Sequence, residues 1–322
     1  MTVRWGIIGC GDVTEVKSGP GFQKAEGSAL VAVMRRDAQK ARDYAARHGV
    51  ARAYDRADDL IRDSSVDAVY IATPPSSHRE LALRVAAAGK PCLVEKPMAL
   101  NHRECLEMVD AFARAGGPLW VAYYRRALPR FLKVRDCLRE GAIGQLTSVH
   151  VEVIDSLLTG NGVKTWRVDP AVAGGGLLFD LGSHAFDLLD FLVGHVTRIS
   201  AVAANTGGAY AAEDVTTAAF AFSTGPVGSA VFNFNAGSKD DVMTFIGSKG
   251  EIETSIFADV DVIVRGADHV YETRNPPHVH QPLIQTIVDE LHGRGTCPST
   301  GESAARTSWV LDECVRDYYA AR

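Results

Sequence analysis

The strongest constraint in this chain is a change of rhythm near residue 124. Before it, short apolar runs at residues 4–9, 30–34, 66–73, 91–95 and 119–123 alternate with helical patterns at 38–48, 77–88 and 102–115. Strand and helix in strict alternation predict βαβ units and a parallel sheet. After residue 124, a helix at 130–140 and a strand at 146–154 lead through a glycine-rich loop to a helix at 179–192. Closely spaced strand runs follow at 198–203, 216–222, 228–234, 243–246, 251–257 and 260–264. Ala218, Phe220 and Phe222 fall on one face of their strand, and Ala230, Phe232 and Phe234 do the same. Period two in successive strands predicts a mostly antiparallel sheet with one core face. Helices at 282–291 and 303–319 close the chain. The expected class is α/β, with a parallel-sheet domain over residues 1–124 and a second domain over 125–300. The helix at about 301–322 is a candidate to pack back on the first domain.

The first apolar run ends in Gly9-Cys10-Gly11-Asp12-Val13-Thr14 and opens into a helical segment. That placement fits a dinucleotide fingerprint. The first glycine permits a tight turn, the second lets a pyrophosphate reach the backbone, and the helix start supplies N–H donors. Thr14 stands where the fingerprint has its third glycine, so looser helix–strand packing is expected there. Cofactor choice is read at the end of the second run, Met34-Arg35-Arg36-Asp37. An acid there accepts a ribose 2′-hydroxyl, whereas arginine accommodates a 2′-phosphate. The arginines come first and Asp37 suits the cap of the next helix, so NADP(H) is favoured and NAD(H) stays open. Farther on, Thr73-Pro74-Pro75-Ser76-Ser77-His78 stiffens a loop at a strand's carboxyl end, where ligands bind in open parallel sheets. Ser77 is a candidate helix cap and His78 a structural residue.

A second constellation is split along the chain. The apolar run Cys92-Leu93-Val94 ends in Glu95-Lys96-Pro97, which sets an ammonium at a strand exit on a turn rigidified by proline. There it can donate to a substrate oxygen and stabilise charge during hydride transfer. The other half is Gly174-Gly175-Gly176 followed by Asp180, His184 and Asp187, whose spacing puts three polar groups on one helical face. The glycines allow close approach to a ligand. Trp166-Arg167, just upstream, can wall a pocket and meet an anionic or hydroxylated ligand.

Composition narrows the function classes. Net charge is −5 with no long basic run, which argues against nucleic-acid or polybasic membrane partners. No apolar stretch reaches the roughly 20 residues of a spanning helix, and no signal-like segment opens the chain. The six cysteines are scattered without a C-x-x-C, which suits reduced thiols in the cytoplasm and neither a zinc site nor a disulfide framework.

Taken in order, G-C-G-D-V at residues 9–13, A-T-P-P-x-x-H at 72–78, E-K-P at 95–97 and G-G-G-x-x-x-D-x-G-x-H-x-x-D at 174–187 resemble the Gfo/Idh/MocA family. The resemblance spans essentially the whole chain. It implies a Rossmann domain followed by an α/β domain with a large open sheet used for substrate binding and oligomerisation, commonly as a homodimer or homotetramer. It also implies NAD(P)-dependent oxidation or reduction of a sugar, polyol or related carbonyl compound. By position, Lys96 is similar to the family lysine that bonds the reacting oxygen, His184 to the proton donor and acceptor, and Asp180 to the residue that orients substrate or tunes that histidine. Thr73, Pro74, Ser77 and Glu95 match cofactor contacts, beside Gly9, Gly11, Asp12, Val13, Arg35 and Arg36. Trp166 and Arg167 match a Trp-Arg pair near the nicotinamide in some members. One departure is Tyr123-Tyr124 before Arg125-Arg126, where the family often has asparagine. Either Lys96 or His184 serves as base on this reading. Two other classes remain open: a glycoside-cleaving enzyme that cycles a tightly held NAD, and a non-catalytic NAD(P) sensor.

Overall fold

A computed structural model describes residues 2–156 and 165–321. The chain divides into two compact units. The first comprises Met1–Ala99, Arg103–Leu128 and Pro276–Ala305, and the second Leu100–His102, Pro129–Asn275 and Arg306–Arg322.

In the first unit six strands form one sheet in the order β3-β2-β1-β4-β5-β6, every pair parallel. They are β1 (Val3–Ile8), β2 (Ser28–Met34), β3 (Arg52–Tyr54), β4 (Ala68–Ile71), β5 (Cys92–Val94) and β6 (Leu119–Val121). This is the doubly wound order of a Rossmann sheet, whose direction reverses beside β1 and opens a ligand crevice at the strands' carboxyl ends. The central strands are apolar throughout because both faces are covered; β4 and β5 are buried along their whole length. The short edge strand β3 leaves no apolar run in the sequence: Arg52 is exposed, Ala53 and Tyr54 are partly buried, and three residues are too few to show a period.

Helices α1 (Asp12–Val16), α2 (Ser18–Lys24), α3 (Ala38–His48), α4 (Ala57–Arg62), α5 (His78–Ala87) and α6 (His102–Ala115) follow the strands. The outer edge of β6 is covered by the returning segment. Val121 N donates to Ser299 O at 3.2 Å, Ser299 Oγ donates to Val121 O at 2.7 Å, and Trp120 bridges Thr300. The same segment carries a helix, Gln281–Leu291, that lies against Gly21 of α2.

In the second unit, α7 (Pro129–Arg139), α8 (Pro170–Ala173) and α9 (Ser183–Leu192) accompany an eight-stranded sheet; the Gln281–Leu291 helix is numbered α10 and the last helix, Gly301–Ala320, is α11. The strands are β7 (Leu146–Ile154), β8 (Val196–Ala204), β9 (Val215–Phe222), β10 (Val227–Asn233), β11 (Asp240–Gly247), β12 (Gly250–Thr254), β13 (Val262–Arg265) and β14 (His269–Tyr271). Their order is β14-β13-β12-β11-β7-β10-β9-β8, antiparallel except for the β7–β10 pair. The expected core face is buried: Ala218, Phe220, Phe222, Ala230 and Phe232 all point into it. Phe186 of α9 meets Phe220 and Phe232 with ring centroids 5.8 and 5.6 Å away. Gly228 lies opposite Phe220, where any Cβ would sit 2.2 Å from the ring. The other face leaves Val202, Val227, Ile246 and Val270 exposed. Among the described residues, no helix is long and apolar enough to cross a membrane.

Candidate functional site

The nucleotide end is built from three strand exits in the first unit. Gly9 has φ +90, and a Cβ there would lie 2.6 Å from Thr73 Cγ2 and 3.0 Å from Thr73 N. The β1 loop and the β4 exit are thus pressed together through a residue that only glycine fills well. Gly11 differs. Its backbone is extended at φ −165, and a Cβ would touch only Gly9 O at 3.8 Å. Neither strain nor packing asks for glycine there, so its bare backbone faces open space of the kind a pyrophosphate fills. The residues therefore fit a dinucleotide.

Thr14, expected to loosen this corner, does the reverse. It is fully buried, and its Oγ1 accepts from Gly11 N at 2.9 Å and donates to Gly11 O at 2.8 Å. The close approach that the third fingerprint glycine provides has moved to Gly19, where a Cβ would meet Thr14 O at 2.2 Å and Tyr44 Oη at 2.6 Å. Tyr44 Oη in turn donates to Thr14 O at 2.9 Å. Thr14→Ala is expected to destabilise the chain by about 1–3 kcal/mol, because it removes both hydrogen bonds to Gly11, each worth about 0.5–1.5 kcal/mol net; thermal denaturation measures it.

Asp37 caps α3, accepting from Gln39 N at 3.0 Å and Lys40 N at 3.1 Å. Arg35 and Arg36 precede it, and among the described residues neither guanidinium enters an ion pair. Burial pushes the Cys10 thiol up to about 11, and the Arg35 charge pulls against it, which puts that guanidinium within electrostatic reach of the glycine loop. Asp12 and Val13 open α1.

At the β4 exit, Ser77 does not cap α5. Its hydroxyl oxygen lies 2.7 Å from Thr73 Oγ1 and 2.9 Å from Pro74 O, the latter accepting its proton, and so tightens the loop instead. His78 is fully buried with Nε2 2.7 Å from Thr73 O and Nδ1 3.1 Å from Pro97 O. It ties the β4 and β5 exits to each other, the structural role expected of it.

The β5 exit explains why an acid, an ammonium and an imide stand together. Glu95 is buried, and its carboxylate accepts from Tyr70 Oη and, at 3.0 Å, from Lys96 N. The Lys96–Pro97 peptide is cis. Burial raises the Glu95 pKa, while the Tyr70 hydrogen bond and the Lys96 and Lys17 charges pull it down. His280, which precedes α10, sets Nδ1 3.9 Å from Glu95 Oε1 and stacks on Tyr124 with centroids 4.4 Å apart. Burial first, then the charges of Lys17, Arg125 and Lys96, push His280 down to about 3, so the ring is neutral. Arg125 lies over the other part of this wall, 4.9 Å from the Tyr124 ring centroid. The acid thus holds the backbone from which Lys96 projects.

The second unit carries the other cluster. Arg167 Nη1 donates to Asp180 Oδ2 at 2.6 Å and its guanidinium stacks on Trp166, 4.6 Å from the ring centroid. Asp180 sits in a π-helical turn, Leu178–Gly182, that runs into α9. The expected single α-helical face for Asp180, His184 and Asp187 is therefore broken at its start, because the wider turn shifts Asp180 out of α-helical phase with the other two. His184 and Asp187 are buried in α9. The Phe257 ring meets His184 edge-on with centroids 6.1 Å apart. Phe257 is held in place by Asp241, whose carboxylate accepts from Ile256 N, Phe257 N and Ala258 N at 2.9, 2.6 and 3.0 Å.

Residues 3–123 match the oxidoreductase family with an NAD-binding Rossmann fold, GFO/IDH/MocA, and residues 131–253 match the GFO/IDH/MocA C-terminal domain. The chain belongs to the GFO/IDH/MocA family. Over 314 residues it is 39% identical to Oxidoreductase P35 of Formosa agariphila, covering 96% of this chain and 97% of that protein. It is 30% identical over 278 residues to trans-1,2-dihydrobenzene-1,2-diol dehydrogenase of Bos taurus, covering 83% and 78%. Among solved structures, levoglucosan dehydrogenase in complex with NADH and levoglucosan superposes with a TM-score of 0.88 at 22% identity, over 99% of this chain and 98% of that one, a likeness of fold. Membership of the GFO/IDH/MocA family makes this chain an NAD(P)-dependent oxidoreductase.

Several residues of the GFO/IDH/MocA clusters were not found by sequence reasoning. Tyr70 and His280 lie 25 and 185 positions from Glu95, and neither stands in a motif. Only an odd tyrosine in the otherwise aliphatic strand β4 hinted at a polar partner. Asp241 and Phe257 carried no signal at all.

Proposed function

We propose that this chain is an NADP(H)-dependent oxidoreductase that exchanges a hydride between nicotinamide and a secondary alcohol or ketone of a sugar, polyol or related small molecule. The observation that carries the cofactor reading is the commitment of Asp37 to a helix cap beside two arginines without ion-pair partners among the described residues. The cap takes Asp37 Oδ1 and Lys40 faces Oδ2 at 3.7 Å, which leaves the acid less suited to a ribose hydroxyl, and two guanidiniums suit a 2′-phosphate. Gly9, Gly11, Asp12 and Val13 would hold the pyrophosphate, and Thr73, Pro74, Ser77 and Glu95 would line the nicotinamide half. Trp166 and Arg167 are assigned to the same half.

The dinucleotide, when bound, supplies the hydride acceptor or donor. Lys96 Nζ donates to the reacting oxygen and steadies the charge on it. The His184 imidazole takes or returns the hydroxyl proton. Asp180, ion-paired with Arg167, orients substrate or that imidazole. The bovine relative, named for a diol, and the structural neighbour bound to levoglucosan support a cyclic polyhydroxyl substrate. We assign the enzyme to the cytoplasm as a homodimer or homotetramer, on the six buried thiols and the exposed valines of the open sheet face.

The test is a fluorescence titration with NADPH and NADH, followed by turnover with levoglucosan, myo-inositol and keto-sugars. NADPH is expected to bind more tightly. Arg35→Ala with Arg36→Ala should weaken NADPH by roughly tenfold to a hundredfold and leave NADH nearly unchanged. Equal or tighter binding of NADH by the unmodified protein refutes the NADP assignment.

A further inference from the structure

The triglycine loop that leads to Asp180 is held by a carboxylate from another part of the second unit. Glu213 is 1% exposed. Its Oε1 accepts from Gly176 N at 2.8 Å and its Oε2 accepts from Tyr319 Oη at 2.7 Å. The backbones also meet: a Cβ on Gly176 would lie 2.2 Å from Glu213 O. Gly176 O then accepts from Phe179 N at 3.1 Å, the first bond of the turn that becomes the π-helical segment. Gly174 is packed as closely from the other side, where a Cβ would stand 2.5 Å from Leu100 O. Tyr318, beside Tyr319 in the last turns of α11, donates to Ala211 O at 2.9 Å and fastens the loop that carries Glu213.

Burial disfavours ionisation of Glu213, and the Tyr319 and Gly176 hydrogen bonds counter it. A buried carboxylate costs stability unless each oxygen is satisfied. A core position in an apolar unit would be filled more stably by leucine or methionine, so the acid is there for its two acceptor directions. Those directions join the end of α11 to the start of the π-helical turn.

We propose that Glu213 is the positioning residue of this oxidoreductase: with Tyr319 it fixes Gly176, and through Gly176 the turn that aims Asp180 and, one turn later, His184. The proposal rests on the reading that Asp180 and His184 act on substrate, and it makes the C-terminal tyrosines part of the catalytic apparatus without contact with the reacting atoms.

The full chain and its Glu213→Ala, Glu213→Gln and Tyr319→Phe variants are compared by hydrogen–deuterium exchange across residues 174–182, with NADPH titration as the control for the other unit. Glutamine keeps an acceptor for Gly176 N and turns its amide N–H toward Tyr319 Oη, so Glu213→Gln is expected to retain protection and kcat. Glu213→Ala should raise exchange at residues 174–182 at least tenfold and lower kcat ten- to a hundredfold with NADPH affinity unchanged; Tyr319→Phe should give a smaller change in the same segment. Wild-type exchange at residues 174–182 in Glu213→Ala overturns the proposal, as does full activity in that variant. Should Glu213→Ala not fold, unaltered exchange in Tyr319→Phe overturns it equally. Failure of the underlying reading is separate: Asp180→Ala and His184→Ala would then retain kcat, whatever the exchange pattern shows.

Discussion

Lys96→Ala is expected to lower kcat by about 10²–10⁴, the range for loss of a positioned proton-sharing or oxyanion-stabilising group. NADPH affinity should stay within a few-fold, because the ammonium is assigned to the reacting oxygen and not to the nucleotide. Lys96→Met, which keeps the length of the side chain without its charge, should fall as far. The effect is expected to be large because Lys96 is not a loosely placed surface lysine. Its own N–H is bonded to Glu95 Oε2, and Glu95 is bonded by Tyr70 within a buried cluster that includes neutral His280. Stopped-flow single turnovers with excess enzyme would separate this loss from product release. Retention of kcat in both variants would remove Lys96 from the chemistry and would also exclude the assignment of the β5 exit as its site.

The second large effect concerns two glycines two residues apart. Gly9→Ala combines φ +90 with a Cβ placed 2.6 Å from Thr73 Cγ2 and 3.0 Å from a backbone nitrogen. Left-handed backbone at a non-glycine residue costs about 1–3 kcal/mol, and displacement of the β4 exit adds to it. A fall in thermal midpoint together with loss of NADPH binding is expected. Gly11→Ala should behave differently: its backbone is extended and its Cβ meets open space. The thermal midpoint should hold, while NADPH affinity drops by tenfold or more as the methyl group fills the approach to the backbone. Normal NADPH binding by Gly11→Ala would show that no pyrophosphate lies against this loop.

Much of the fold was legible because burial writes a period into the sequence. The central parallel strands show as unbroken apolar runs, and β9 and β10 show strict alternation because one face of their sheet is core. β3 was not found because three exposed or partly buried residues carry no period. The π-helical turn was also hidden, since Leu178–Gly182 has ordinary helix spacing and the extra residue is set by packing, with Gly182 close against Leu178 and Phe232. Motif residues such as Gly9 and Gly11 were legible because their function restricts residue type within a few positions. Glu213, His280 and Asp241 were not, because each satisfies a partner brought near only by the tertiary fold. The same holds for Thr14: its hydroxyl makes up for an absent fingerprint glycine only because Gly19 and Tyr44 complete the packing.

The covering of β6 by Ser299 and Thr300, and of Gly21 by α10, has a consequence for biosynthesis. As the chain leaves the ribosome, all six strands of the parallel sheet emerge well before the segment that closes their outer edge. Until residues 276–305 appear, the nascent half-molecule presents an unpaired strand margin and the uncovered surface of α2 at Gly21, features that recruit holding chaperones and promote self-association. A gene fragment ending at Leu128 would therefore yield an aggregation-prone product, whereas one that joins residues 276–305 back through a short linker should give a soluble, nucleotide-competent miniature.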